Sequence, residues 1–307
     1  MDLRKILALL ILVGGIGDAA FQSQGVEVGG IGVAAVQARG VEVGGIGGQE
    51  LMLDEIDSLM NRGNWERAEQ RIVEYLRSRP GDASNALIFS NLGVCHLNMG
   101  RYEDALEDFD IALIKYPDSS KILTNKARTL LILGRNEESL ETFDLAIEVN
   151  ATEKDLYRMR GILLYEKGQF EDASKDFEKL RKLSGDELTM ESPEMLAVIA
   201  RTALARGNIE EATELYNLVT DSSQDSDLVF EGLCFSLTYL PDEITKDTVN
   251  KMVKKFPEEG RLYLVAAVLC ERAYLHSESD MNKKIAKQYG IDTQTIEFFI
   301  RQNMKEQ

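Results

Sequence analysis

The chain has 307 residues, 44% of them hydrophobic and 28% charged, with five prolines, a composition that marks a folded protein with long helices rather than a loop-rich sandwich. Its formal net charge of -17 repels phosphate backbones and anionic lipid, which excludes nucleic acid as a natural partner and favours basic ones. Cys95, Cys234, Cys270, His96 and His276 show neither CxxC nor HxxxH spacing, so no metal site is expected and the cysteines read as buried, reduced thiols.

The first predicted segment, 1–19, has the layout of an export signal. Met1-Asp2-Leu3-Arg4-Lys5 precedes the apolar run ILALLILVGGIG, and Gly17-Asp18-Ala19 supplies small residues for cleavage after Ala19. The apolar run is about twelve residues, short for a bilayer span. The expectation is an exported or membrane-tethered chain, with a cytoplasmic location as the alternative. VGGIG occurs three times at fifteen-residue spacing, at Val13–Gly17, Val28–Gly32 and Val43–Gly47. Residues 20–48 therefore form a glycine-rich arm, open to three readings: a flexible spacer, a β-like segment able to pair with copies of itself, or an apolar arm that docks in a groove.

From residue 49 a second and longer period sets the fold. Asn98–Phe109 (NMGRYEDALEDF), Ile132–Phe143 (ILGRNEESLETF) and Glu166–Phe177 (EKGQFEDASKDF) fall in register, 34 residues apart. Gly100, Gly134 and Gly168 mark a turn, Ala105, Ser139 and Ala173 follow, and Phe109, Phe143 and Phe177 come next. Apolar runs at helical spacing lie before each turn. This pattern resembles the tetratricopeptide repeat (TPR) family, a helix–turn–helix unit of that length. The resemblance implies an all-α fold, a right-handed superhelical solenoid of about six helix pairs over 49–260, at about 49–82, 86–119, 120–153, 154–187, 193–226 and 227–260. The sixth unit is degenerate, with Pro241 where the turn glycine would stand. Residues 261–307 are expected to be a C-terminal helical cap, with an apolar helix at roughly 261–276 and more polar helices after it. Small residues let paired helices approach and aromatics fill the gap to the next pair, so most motif residues are core.

Catalytic constellations are absent. There is no GxSxG, no phosphate-binding GKS/T loop and no HExxH, and VGGIG is not GxGxxG, so the expectation is a non-enzyme without cofactors. The acids of EDALEDFD read as a solvated helix face. Asn150-Ala151-Thr152 is a glycosylation sequon in an expected inter-repeat loop.

What the resemblance leaves for function is the inner face of the first helix of each pair. It implies a groove for a partner peptide or helix lined by Asn91, Val94, Lys121, Asn125, Arg128, Arg158, Met159, Ile162, Tyr165, Arg201, Phe235 and Tyr239. Amides there can hold a peptide backbone while pockets read side chains. Arg128, Arg158 and Arg201 are either cations for a ligand or partners of acids on neighbouring helices. Asn91, Lys121 and Asn125 match part of a carboxylate-clamping set known in the family, but Leu53 and Asp57 stand where its lysine and asparagine would be, so a clamp is not expected. The reading is a protein–protein interaction scaffold. The alternative is a self-assembling subunit of a filament or shell that donates its N-terminal arm to a neighbour; an apolar last helix would favour stacking and a polar one a cap.

Overall fold

The computed structural model describes residues 50–79, 85–185 and 192–304, which form fifteen α-helices and no strand. The segments expected as signal (1–19) and glycine-rich arm (20–48) lie outside the described residues. The described chain divides into two compact units that meet in sequence at Lys167–Gly168, within the expected repeat 154–187.

The N-terminal unit holds α1 (Glu50–Asn61), α2 (Trp65–Ser78), α3 (Asn85–Asn98), α4 (Tyr102–Lys115), α5 (Ser120–Ile132), α6 (Asn136–Val149) and α7 (Lys154–Glu166). The C-terminal unit holds α8 (Phe170–Ser184), α9 (Pro193–Ala205), α10 (Ile209–Ser222), α11 (Ser226–Tyr239), α12 (Asp242–Lys255), α13 (Gly260–Arg272), α14 (His276–Gln288) and α15 (Thr293–Asn303). Within each unit consecutive helices pack on each other, and first helices also touch first helices, α3 on α5, α9 on α11 and α11 on α13.

The turns show why the helices stop where they do. Gly100 has φ +76° and Gly134 φ +71°, a left-handed conformation that a side chain resists. It lets Arg101 N–H reach back to the His96 carbonyl at 2.9 Å and Arg135 N–H to that of Leu130 at 2.9 Å, satisfying carbonyls that a helix end leaves open. The next helix then starts at once. The small residue of the second helix is wholly enclosed in the pairs that lie within one unit: Ala68, Ala105 and Ser139 in the N-terminal unit and Ala212, Thr245 and Ser279 in the C-terminal one have 0% exposure. On α3 the backbone of Gly93 faces Phe109, and a Cβ there would lie 2.7 Å from its ring.

The segment expected to be only a cap opens with a further helix pair, α13–α14, whose turn reproduces the others without glycine. Tyr274 takes the left-handed position at φ +58°, and Leu275 N–H bonds the Cys270 carbonyl at 2.8 Å. The period was hidden because tyrosine replaces the marker residue. The last helix, α15, packs on α13 and α14. Its Ile296 and Phe299 are buried against the core of the C-terminal unit, while Glu297, Phe298, Arg301 and Gln302 face outward. Arg272 ties its end down, donating to the Asn303 and Leu237 carbonyls and pairing with Asp242 at 2.6 Å.

Two carboxylates make the C-terminal unit acid-sensitive. The Arg261 guanidinium holds Glu259 down to about 2, and Lys283, with Ser279 and His276, holds Glu271 down to about 2. Each contributes stability that is present above the ordinary carboxylate range and is lost as pH falls from about 4.5 to about 2. After allowance for solvent screening the loss is on the order of 1–2 kcal/mol per group. Denaturant melts of the full chain at pH 5 and pH 2.5 should show it in the amides of α13 and α14. Equal stability of those helices at the two pH values would contradict the assignment.

Candidate interaction face

The inner face follows from helix register: residues three and four apart line one side of α3, α5 and α7. The structure divides the twelve expected groove residues into three groups.

The first group is not available to a partner, which corrects the expectation. Val94 is fully enclosed in the core that also holds Ile72, Tyr75 and Phe109. Met159 packs with Leu123, Ala127, Phe143 and Leu156. Phe235 is 1% exposed, its ring 4.7 Å from Tyr216 and 5.0 Å from the half-buried Tyr239. The helix carrying it, α11, is buried on nearly every side, so its face has no room for a ligand.

The second group consists of cations already engaged. Arg201 Nε donates to Glu231 Oε1 at 2.7 Å and its Nη2 bonds the other carboxylate oxygen. Tyr216 Oη donates to the same Glu231 at 2.7 Å. Arg158 pairs with Asp155 one turn away on α7. For these two the structural pairing, not a ligand, uses the charge.

The third group contains two side chains with a buried polar atom that has no hydrogen-bond partner. Asn91 is 4% exposed and its Oδ1 has no partner, and neighbouring Ser90 Oγ has none. On α5, which packs on α3, Arg128 is half-buried and its Nε is likewise without a partner. Burial lowers its pKa, opposed by the charge of Asp155. A buried polar atom without a hydrogen bond costs about 1–3 kcal/mol. Asn125, also on α5, is buried, while Lys121 is exposed and Ile162 and Tyr165 on α7 are half-buried. The face is therefore an amide and a guanidinium on adjacent helices of the N-terminal unit.

A polar cluster beside it escaped the sequence reading. His96 and Asp108, the latter expected on a solvated face, are 6% and 7% exposed, and they meet Glu69 and Arg101 between α2, α3 and α4. A signal existed. Counting by 34 from Asp108 gives Thr142 and Asp176, both buried, so this position faces inward in these three repeats. Among the described residues no group of three or more acids, histidines and cysteines is placed to hold a metal ion, and no helix is long and apolar enough to cross a membrane.

Comparison with known proteins places these observations. No curated protein matches the chain. Solved structures do: a tetratricopeptide repeat protein from Parabacteroides merdae superposes with a TM-score of 0.52 at 20% identity, over 84% of this chain and 99% of that one. MamA from Desulfovibrio magneticus gives 0.49 at 19% identity, over 59% of this chain and 99% of that one. YrrB, described as a TPR protein with an unusual peptide-binding site, gives 0.48 at 17% identity, over 58% and 88%. The tetratricopeptide repeat family model matches residues 53–120, 92–152 and 158–227. Together these cover more than half of the sequence, and the chain belongs to the tetratricopeptide repeat family.

Proposed function

We propose that the chain is a non-enzymatic scaffold that binds a partner peptide or helix on the inner face of its N-terminal unit. The observation that carries this is the pair of unpartnered buried groups, Asn91 Oδ1 and Arg128 Nε, on adjacent first helices. A peptide supplies what they lack: its amide N–H satisfies the asparagine oxygen, and its carbonyl or carboxylate satisfies the arginine. The burial of α11 and the Arg201–Glu231 pair favour this unit over the C-terminal one. α15 buries Ile296 and Phe299 and exposes Phe298 beside Glu297, Arg301 and Gln302, a mostly polar outer face that favours the scaffold over head-to-tail stacking through that end. Export through residues 1–19 is part of the same proposal, and a native chain beginning at Ala20 outside the cytosol is its expected result.

The test is selection of peptides from a random library on the full chain. Selected peptides should bind Asn91→Ala and Arg128→Ala variants roughly tenfold or more weakly, a loss of about 1.4 kcal/mol each, while Arg201→Ala leaves affinity unchanged. Failure to select any peptide, or binding indifferent to both substitutions in folded protein, would refute the assignment.

A further inference from the structure

The polar cluster between α2, α3 and α4 has geometry that admits two hydrogen-bond registers. His96 Nε2 has two neighbours, Arg101 Nη2 at 2.8 Å and Glu69 Oε1 at 3.2 Å. His96 Nδ1 lies 2.7 Å from Asp108 Oδ2, a short contact too poorly aligned to count as a hydrogen bond for either atom. Arg101 also reaches Glu69 Oε1 at 2.8 Å and Asp104 Oδ2 at 2.9 Å. An arginine N–H cannot point at another N–H, so while Arg101 sits against Nε2 that nitrogen is bare. The proton of the neutral ring is then on Nδ1, facing Asp108. This is the first register. In the second, Nε2 carries a proton and donates to Glu69, and Arg101 has lost its acceptor on the ring.

The groups around the ring decide what moves the cluster from one to the other. Glu69 comes from α2, Cys95 from α3, Arg101 from the turn, and Asp104, Glu107 and Asp108 from α4. The Cys95 thiol is pushed up to about 12 by burial and by the charges of Glu69 and Asp108, so it stays protonated and takes no part. Asp108 is pushed up to about 6 by burial, with Asp104 and Glu107 adding to the rise and His96 opposing it. Glu69 is held below the usual carboxylate range; its own burial raises it, and Arg101 and His96 outweigh that. Glu69 therefore remains an acceptor at mildly acid pH, where Asp108 begins to lose its charge.

We propose that the cluster is a proton-operated switch between the first two helix pairs, in which uptake of one proton by the His96–Asp108 pair places a proton on His96 Nε2, turns that nitrogen from Arg101 to Glu69, and releases Arg101 from the ring. Proton balance is the same however the pair shares its protons. Either Asp108 is neutral and donates to Nδ1, or the ring is an imidazolium facing an ionised Asp108. In both, Nε2–H points at Glu69. Arg101 keeps Glu69 and Asp104 as partners, and with 44% of its side chain exposed it has room to move outward. The contact between α2 and α3 thus gains a charge-assisted bond from His96 on acidification, while the α3–α4 turn loses one.

Nitrogen-15 spectroscopy of the imidazole tests this directly on the full chain. His276 is exposed, so a His276→Gln variant leaves His96 as the single histidine to observe. At pH 8 the expected spectrum has a bare Nε2 and a protonated Nδ1. At pH 5 Nε2 is protonated, and the Asp108 carboxyl carbon moves over the same pH interval. In Arg101→Leu, Nε2 is protonated already at pH 8, because Glu69 no longer has a competitor for that nitrogen. A protonated Nε2 in the unsubstituted cluster at pH 8 would overturn the proposal, as would an Nε2 that is still bare at pH 5. An Arg101→Leu spectrum identical to that of the parent at pH 8 would overturn it as well.

Discussion

Truncating Phe109 to alanine is expected to destabilise the N-terminal unit by about 3–5 kcal/mol, the range for emptying a fully buried aromatic site. The ring has no exposed surface and joins a core with Ile72, Tyr75, Ile88 and Ala112. It also presses on the backbone at Gly93, where a Cβ would stand 2.7–3.0 Å from three ring carbons. The complementary change, Gly93→Ala, is therefore destabilising despite alanine's better helix propensity. The gain of about 0.5–1 kcal/mol from propensity is outweighed by overpacking of about 1–3 kcal/mol. Combining Gly93→Ala with Phe109→Leu should recover part of the loss, since the two sites share one volume. Amide exchange of α3 and α4 measured against urea reads all three variants. A Phe109→Ala loss below about 1 kcal/mol would mean that the ring is not the packing element between these helices.

The second large effect is expected at Arg261. Its guanidinium is 10% exposed, pairs with Glu259 at 2.7 Å and Asp227 at 2.6 Å, and lies 5.2 Å above the centre of the Phe230 ring. These partners hold its pKa above that of an ordinary arginine even though burial opposes this. Arg261→Ala leaves Glu259 partly buried with its cation gone, and the expected cost to the C-terminal unit is about 3–5 kcal/mol. Asp227, half exposed, turns to water and adds little. The double variant Arg261→Met with Glu259→Gln should recover most of the loss, because it removes the stranded charge and keeps an apolar stem on Phe230. The single variant should also lose much of the drop in stability between pH 5 and pH 2.5, since Glu259 is no longer held low. A double variant as unstable as Arg261→Ala would show that packing, and not charge, explains the site.

The candidate face was only partly legible beforehand. Position within the repeat identified a side of each first helix, and Asn91 and Arg128 do sit there, each with a buried polar atom that has no hydrogen-bond partner. The same argument also selected Val94, Met159 and Phe235, which are core. Helix register says which way a side chain leaves its axis; it does not say what arrives to cover it. On α11 the cover is Tyr216 and Tyr239, from α10 and from the helix's own end. Arg201 failed for a related reason: its partner Glu231 lies thirty residues away, one repeat on, and becomes a neighbour only when α9 and α11 pack.

His96 and Asp108 show the limit from the other side. Each looked unremarkable alone, a single histidine and one acid in a run of acids. Packing α3 on α4 places them 2.7 Å apart and burial then pushes Asp108 up to about 6. Charge state in such a pair is a property of the enclosure and has no counterpart in local sequence.

By itself the sequence determined the 34-residue repeat and the turns through Gly100 and Gly134. These features depend on local backbone geometry and on a period that every unit restates. Tertiary structure alone decided that α13 and α14 form a further pair with Tyr274 in the glycine position, that α15 buries Ile296 and Phe299 while leaving Phe298 exposed, and which polar groups are paired, stranded or titratable. Those outcomes depend on contacts between residues distant in the chain, where the strength of a charge or a hydrogen bond is set by what excludes water from it.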